Sequence, residues 1–154
     1  TMKIGILGCG AYGLALAHIL ANNKKDTTIW TPNEEECNKI NKTRKSNKLG
    51  NYTVPKTIKV TTSLEDTVKG KELIVIAVPA FAFEETIIKM KEYINKNQII
   101  LIATKGIQQN TCLFLHDVFK KYYTKNTGTA TKERNVHNCI IPSALFLASF
   151  HCCS

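Results

Sequence analysis

Short hydrophobic, β-branched runs alternate with amphipathic stretches of helical period as far as Tyr123. This alternation is typical of strands that each lead into a helix, and it builds a parallel sheet covered on both faces. The fold class we expect is therefore α/β, with a doubly wound, mostly parallel, Rossmann-like sheet. The predicted strands cover residues 3–8, 27–30, 58–61, 72–79 and 98–106. The predicted helices cover 11–21, a stretch from 33 into the Lys/Asn-rich segment, 63–70, 84–94 and 111–123.

Two of these helices carry start signals. Asn33 is followed three residues later by Glu36, and Ser63 by Asp66. An Asn or Ser at the start of a helix accepts a hydrogen bond from a first-turn amide, and in a capping box Glu returns one to the cap. We therefore expect helices to begin just after Asn33 and Ser63, with Glu36 completing a capping box.

The pattern weakens beyond Tyr123. Residues 124–135 are polar and turn-like, and the apolar stretch 139–154 is too short to form a domain. The prediction is one domain over residues 2–123 and an irregular, truncated or atypical tail over 124–154. Since such a tail would expose apolar surface, we also expect a homodimer or poor solubility.

The chain is basic, with 21 Lys and Arg against 12 Asp and Glu and a net charge of +9. Lysine is mixed with asparagine over much of the chain, and the densest cluster, Lys39 to Lys48, lacks the interleaved aromatic residues that stack bases. We interpret this as compositional bias and expect no nucleic-acid partner.

Cysteine usage and hydropathy bear on location. None of the six cysteines forms a CxxC pair with metal-ligand spacing, so free thiols in a reducing cytoplasm and no metal site are expected. No hydrophobic run reaches the ~18 residues of a membrane span. The predicted location is cytoplasmic.

The candidate chemistry begins at GCGAYG, between the first strand and the first helix. A dinucleotide pyrophosphate binds where a strand turns into a helix, because the helix N-terminus offers unpaired amides and a positive dipole. Gly8 would permit the turn, Gly10 would let the backbone approach the phosphates, and Gly13 would let helix and strand pack closely.

The second part of such a site is an acid at the end of the second strand, which binds the adenosine ribose. Thr31, Pro32 and Asn33 occupy that tip, and the first acids fall in the next helix. No arginine stands there to pair with a 2′-phosphate. The cofactor is therefore predicted as NAD or NADP, with the choice left open.

Two further segments follow later strands. VPAFAF is predicted to be a loop, in which Pro79 ends a strand and either Phe81 or Phe83 could cover the cofactor or belong to the core. In ATKG, Lys105 follows a buried strand. Ligands bind at the carboxyl ends of such strands, so Lys105 is predicted to face the crevice.

Taken in order, GCGAYG, the strand ending in Trp30, INKTR, AVP and ATKG resemble the cofactor-binding half of bacterial-type NAD(P)-dependent glycerol-3-phosphate dehydrogenases. The resemblance implies interconversion of glycerol 3-phosphate and dihydroxyacetone phosphate by hydride transfer. It implies cofactor contacts from Gly8, Gly10, Ala11, Tyr12 and Gly13, and both cofactor and substrate contacts from Lys105. From their position after a strand, Pro79 and Phe83 are also predicted as cofactor contacts. Pro32 stands where many members have a basic residue that contacts the adenosine phosphate.

The chain also departs from that family. Ala11 replaces a usual serine, and IPSALFLAS stands in place of GPSFA, so that Ile141 replaces a glycine and Ser143 is the counterpart of the family serine. The resemblance also implies a helical second domain that carries the acid/base lysine, and we expect these 154 residues not to include it. We therefore assign no catalytic residue to this chain and expect it to be incomplete as a catalyst by itself.

Two alternatives remain open. The chain could be the cofactor domain of another reductase, of pyrroline-5-carboxylate or ketopantoate type, which shares the opening motif but not ATKG. It could also be a truncated, non-catalytic nucleotide-binding module.

Overall fold

The structure is a computed structural model that describes residues 1–104, 115–123 and 136–138. Within them, most strands lead into a helix, as the hydrophobic pattern predicts. The strands are β1 (Lys3–Leu7), β2 (Asp26–Trp30), β3 (Lys45–Ser46), β4 (Tyr52–Thr53), β5 (Lys59–Thr61), β6 (Leu73–Ile76), β7 (Ile99–Ile102) and β8 (Val136–Asn138). The helices are α1 (Ala11–Asn22), α2 (Glu34–Thr43), α3 (Leu64–Val68), α4 (Ala80–Met90) and α5 (Leu115–Tyr123).

Six strands form one sheet in the order β5-β2-β1-β6-β7-β8, and every neighbouring pair is parallel. From β1 the chain adds β2 and then β5 on one side of the sheet. It then returns to place β6 on the other side of β1, followed by β7 and β8. The strand order thus reverses between β1 and β6, which is the switch point where α/β sheets bind ligands. The predicted doubly wound parallel sheet is confirmed.

The core lies on both faces of this sheet. Alternate strand residues point to opposite faces, so Ile4 and Ile6 of β1 belong to one buried cluster and Leu7 to the other. Helices α1 and α2 contribute to the first cluster, and α3, α4 and α5 to the second. Because β1 and β6 are covered on both sides, their residues are almost all apolar.

The expected helix starts are confirmed. Asn33 Oδ1 accepts from the Glu36 amide at 3.0 Å, and Ser63 Oγ accepts from the Asp66 amide at 3.1 Å. The reciprocal bond of a capping box does not form at Asn33, because its amide donates to Thr31 Oγ1 at 3.2 Å instead. The Glu36 carboxylate therefore does not bond to the Asn33 amide and makes other contacts.

The main differences from the sequence prediction lie between α2 and β5 and at the start of α4. Helix α2 runs into the Lys/Asn-rich segment, as predicted, and ends at Thr43, because Arg44 adopts the left-handed conformation with φ 56°. The residues beyond it form an antiparallel hairpin of β3 and β4 that the sequence analysis missed. Helix α4 begins at Ala80, directly after Pro79, so VPAFAF is the start of a helix rather than a loop.

At the far edge, β8 pairs with β7. It falls in a stretch that showed no strand pattern. Several predictions lie outside the described residues: the start of the last helix at 111, and the positions of Lys105, Ile141 and Ser143.

Among the described residues, no helix combines the length and the hydropathy needed to cross a bilayer. The same part of the chain holds no group of three or more His, Cys, Asp or Glu residues placed to bind a metal ion.

Candidate functional site

A cleft of about 630 Å³ opens at the carboxyl end of the sheet. Four strands meet there, and the residues that follow each of them line the cleft: Gly8 and Cys9 after β1, Thr31 and Pro32 after β2, Ala77 to Pro79 after β6, and Ala103 and Thr104 after β7. The start of α1 forms one wall and the start of α4 another. The cleft therefore lies at the switch point of the sheet.

Gly8 makes the turn out of β1. Its φ of +119° lies in a region that residues with a Cβ rarely adopt. A Cβ on Gly8 would also lie 2.7 Å from the carbonyl oxygen of Ala77, on the neighbouring strand connection. Both backbone conformation and contact therefore require glycine here, as the motif predicts.

Gly13 brings α1 close to the same turn. A Cβ on Gly13 would lie 2.0 Å from the carbonyl oxygen of Gly8, far inside contact distance. The first turn of the helix can therefore rest directly on the end of β1. This is the packing role expected of the third glycine.

Gly10 differs from the other two, because a Cβ there would meet no atom within 4 Å. It is the N-cap of α1, with φ −74° and no side-chain capping bond, and the first turn contains no acidic residue. The space in front of the helix start is thus open, and the field of the helix there favours an anion. Ala11 and Tyr12 also line the cleft.

Cys9 lies between these glycines and is 3% exposed. Burial raises the pKa of its thiol to about 12; the Glu36 carboxylate adds to the rise and the Lys48 ammonium opposes it. The thiol is therefore protonated at neutral pH and is a packing group rather than a nucleophile.

An acid from α2 lies beside the tip of β2, although it does not follow that strand directly in the sequence. Glu36, from the first turn of α2, reaches back so that its Oε2 accepts from Thr31 Oγ1 at 2.7 Å. Its Oε1 lies 2.5 Å from Lys48 Nζ. Glu36 and Lys48 both line the cleft beside Pro32. An acid therefore lies beside the tip of β2 in space, and sequence reasoning missed both members of the pair.

Trp30, the last residue of β2, also lines the cleft. Its indole Nε1 donates to the carbonyl of Thr62 at 3.0 Å, which fixes the ring against the end of β5. It is 8% exposed, so only a small part of the ring faces the cleft.

Arg44 organises the segment that carries Lys48. Its guanidinium donates to the carbonyls of Val54, at 3.2 Å, Ile58, at 2.8 Å, and Pro55. Its own carbonyl accepts from the Val54 amide at 2.7 Å. The arginine of INKTR therefore ties the hairpin to the connection before β5 and does not line the cleft.

A second contact holds the same hairpin against α1. Tyr52 Oη and His18 Nδ1 lie 2.8 Å apart, and the two rings meet edge to face at 5.4 Å. The hairpin is thus fixed on both sides, which positions Lys48 at the cleft.

At the other end of the cleft, the structure separates the two candidate phenylalanines. Phe81 lines the cleft and is 81% exposed, whereas Phe83 is fully buried among the core residues of α4 and α5. The expectation that Phe83 contacts the cofactor is corrected, because its ring has no exposed surface to offer. Pro79, the N-cap of α4, does line the cleft.

Thr104 joins the ends of β6 and β7. Its Oγ1 lies 2.7 Å from the carbonyl oxygen of Val78 and 3.2 Å from that of Ile76. Thr104 directly precedes Lys105, which lies outside the described residues. The role of Lys105 as a cofactor and substrate contact therefore stays a prediction.

These features define a class of protein. A parallel sheet in this strand order, with a glycine turn and an open helix N-terminus at its switch point, has the architecture of Rossmann-type dinucleotide-binding domains. The model of the family described as NAD-dependent glycerol-3-phosphate dehydrogenase N-terminus matches residues 3–131. The chain belongs to that family, which confirms the resemblance found in its motifs and separates it from the other reductases considered.

Individual relatives agree with this assignment. A glycerol-3-phosphate dehydrogenase (NAD(P)+) from Thermoanaerobacter sp. is 32% identical over 152 residues, covering 97% of this chain and 46% of that protein. One from Orientia tsutsugamushi is 35% identical over 153 residues, with 96% and 46% covered. The crystal structure of glycerol-3-phosphate dehydrogenase from Coxiella burnetii superimposes with a TM-score of 0.73 and 32% identity, over 79% of this chain and 37% of that one. The chain spans less than half the length of these relatives.

Proposed function

We propose that the cleft binds NAD or NADP, with the pyrophosphate in front of α1. The observation that carries this proposal is the open space at Gly10. The amides and dipole of a 12-residue helix without an acidic first turn favour a phosphate group at that point. Gly8 and Gly13 keep the turn close enough to the sheet for a dinucleotide to cross above it.

The nicotinamide half would then lie toward the ends of β6 and β7. Pro79, Phe81 and Thr104 line this part of the cleft. The exposed ring of Phe81 is placed to cover a planar ligand and exclude water. Lys105, the residue after Thr104, is proposed to contact both cofactor and substrate.

As part of a longer protein, this domain would serve hydride transfer between glycerol 3-phosphate and dihydroxyacetone phosphate, the reaction for which its relatives are named. The nicotinamide, when bound, supplies or accepts the hydride. No described side chain of this chain is assigned the proton transfer, so we expect the 154-residue chain to bind cofactor without appreciable turnover of dihydroxyacetone phosphate. A cytoplasmic location and a homodimer remain predictions.

The direct test is a titration of the folded chain with NADH and NADPH. Trp30 is the single tryptophan and lines the cleft, so its fluorescence reports binding. We expect saturable quenching by at least one of the two cofactors. A folded sample in which neither cofactor binds would contradict the proposal.

A further inference from the structure

The Glu36–Lys48 ion pair forms part of the cleft wall beside the tip of β2. Asn33, Glu36 and Lys48 line both the cleft and a second, smaller depression of about 290 Å³. The pair therefore stands between the two spaces. The Glu36 side chain is 17% exposed and that of Lys48 47% exposed, so the carboxylate is the more confined partner.

The Glu36 carboxylate is held from two directions. Thr31 Oγ1 donates to one oxygen at 2.7 Å, and Lys48 Nζ approaches the other at 2.5 Å. Thr31 is itself fixed, because its Oγ1 accepts from the Asn33 amide. A carboxylate has about four acceptor positions, so Glu36 retains capacity for hydroxyl groups of a ligand.

This position is the one that a ribose would reach. In dinucleotide-binding sheets the adenosine ribose lies at the end of the second strand, where an acid accepts hydrogen bonds from its 2′-hydroxyl. We propose that Glu36 is that acceptor in this chain and that its carboxylate, which also neutralises Lys48, makes the cleft select NADH over NADPH. The inference rests on the proposed function, since it concerns the same cleft.

The selection follows from charge. A 2′-phosphate would bring a charge of about −2 against the Glu36 carboxylate, and like charges at close range repel. Lys48 is the cation that could attract such a phosphate, but Glu36 neutralises it. The nearby Arg44 cannot substitute, because its guanidinium is bonded to three backbone carbonyls. Replacing Glu36 should therefore release Lys48 for the phosphate.

The test compares NADH and NADPH titrations of the 154-residue chain, read by Trp30 fluorescence, for the wild type, Glu36→Gln and Glu34→Gln. Glu34 lies in the same first turn of α2 but outside the cleft, so its variant changes the net charge equally. We expect the wild type to favour NADH by about tenfold or more and Glu36→Gln to narrow that preference by about tenfold, the size of one strong like-charge contact. Glu34→Gln should keep the wild-type ratio.

Lys48→Gln is the second variant, in case Glu36→Gln does not fold. It removes the cation that faces the Glu36 carboxylate, so the preference for NADH over NADPH should stay the same or increase. A wild type that binds NADPH as tightly as NADH overturns the inference, as does a Glu36→Gln ratio within about twofold of wild type or a Lys48→Gln variant with a narrowed preference. In each case NADH still binds and the proposed function stands. If neither cofactor binds the folded wild type, both proposals fail together.

Discussion

A Cβ atom on Gly13 would lie only 2.0 Å from the carbonyl oxygen of Gly8. The end of β1 and the first turn of α1 are thus in direct backbone contact. This contact brings the helix N-terminus over the carboxyl end of the sheet, where the cleft opens. The glycines of one short motif therefore serve different purposes, and substitutions can separate them.

Gly13→Ala should destabilise the fold. The new methyl group cannot avoid a backbone oxygen without moving α1 away from β1, and overpacking of this kind costs about 1–3 kcal/mol or more. Urea unfolding of the variant should show a clearly lower midpoint. Gly10→Ala is the matched control, because its Cβ meets nothing and an Ala N-cap costs no more than about 1 kcal/mol. Equal loss in the two variants would show that the close contact is not what requires glycine at position 13.

In contrast to Gly13→Ala, Gly10→Val should weaken cofactor binding and leave the fold intact. Its side chain would project into open space at the helix start, so the fold should remain, while the space proposed for the pyrophosphate is filled. We expect NADH affinity to fall by about tenfold or more, since a close phosphate–amide contact contributes on the order of 1.5–3 kcal/mol. Trp30 fluorescence titration measures the affinity, and urea unfolding checks the fold. Unchanged affinity in a stable variant would place the pyrophosphate elsewhere.

Local signals explain why much of this site could be predicted from the sequence. Gly8, Gly10 and Gly13 act within one strand-turn-helix unit, and Asn33 caps its helix through a bond to a residue three positions on. Such features depend on neighbours in the chain, so spacing alone reveals them. The parallel direction of the strands likewise follows from their alternation with helices.

The rest of the site depends on contacts between distant segments. Glu36 and Lys48 meet because Arg44 ends α2 and holds the hairpin that follows on one side, while the contact of Tyr52 with His18 holds it on the other. The strands of that hairpin are two residues each, too short to show any alternation of hydrophobic and polar positions.

The two phenylalanines illustrate a different difficulty. Phe81 and Phe83 are two residues apart, and two residues so spaced on a helix do not share a face. Once Pro79 starts α4 at Ala80, only one of the two rings can face the cleft. Sequence reasoning treated the segment as a loop and so had no basis for choosing between them.

Arg44→Gln should loosen the segment between α2 and β5. The substitution removes the donors to the carbonyls of Val54, Pro55 and Ile58, at a cost of about 2–3 kcal/mol in the free energy of unfolding. Arg44→Lys should recover little of this loss, because one ammonium cannot reproduce the geometry of a guanidinium.

Urea unfolding measures the loss at Arg44, and amide hydrogen exchange locates it: the Val54 amide, which donates to the Arg44 carbonyl, should exchange faster. Lys42→Gln changes the net charge equally at an exposed position of α2 and should leave both measurements unchanged. Wild-type exchange at Val54 in Arg44→Gln would show that the hairpin is held by other contacts.

The burial of Cys9 predicts a dependence of stability on alkaline pH. Its thiol has a pKa of about 12 in the folded chain against an ordinary value of 9.0. Well below pH 9.0 the thiol is protonated in both states, and no dependence arises. Between pH 9.0 and about 12 the unfolded chain loses the proton first, so this thiol lowers the stability of the folded state as pH rises.

Folding also changes the pKa values of other groups, among them Lys71, whose pKa desolvation lowers, and Tyr123, whose pKa burial raises. The comparison with Cys9→Ala removes their contributions, because the variant retains both. Relative to Cys9→Ala, the free energy of unfolding of the wild type should fall by roughly 1 kcal/mol between pH 8 and pH 10, measured by urea unfolding at each pH.

Alkylation followed by peptide mapping gives an independent check: at pH 8 Cys9 should stay unmodified in the folded chain and react once urea unfolds it. A constant difference between the two proteins from pH 8 to pH 10, or rapid labelling of folded Cys9, would mean that solvent reaches the thiol between the motif glycines.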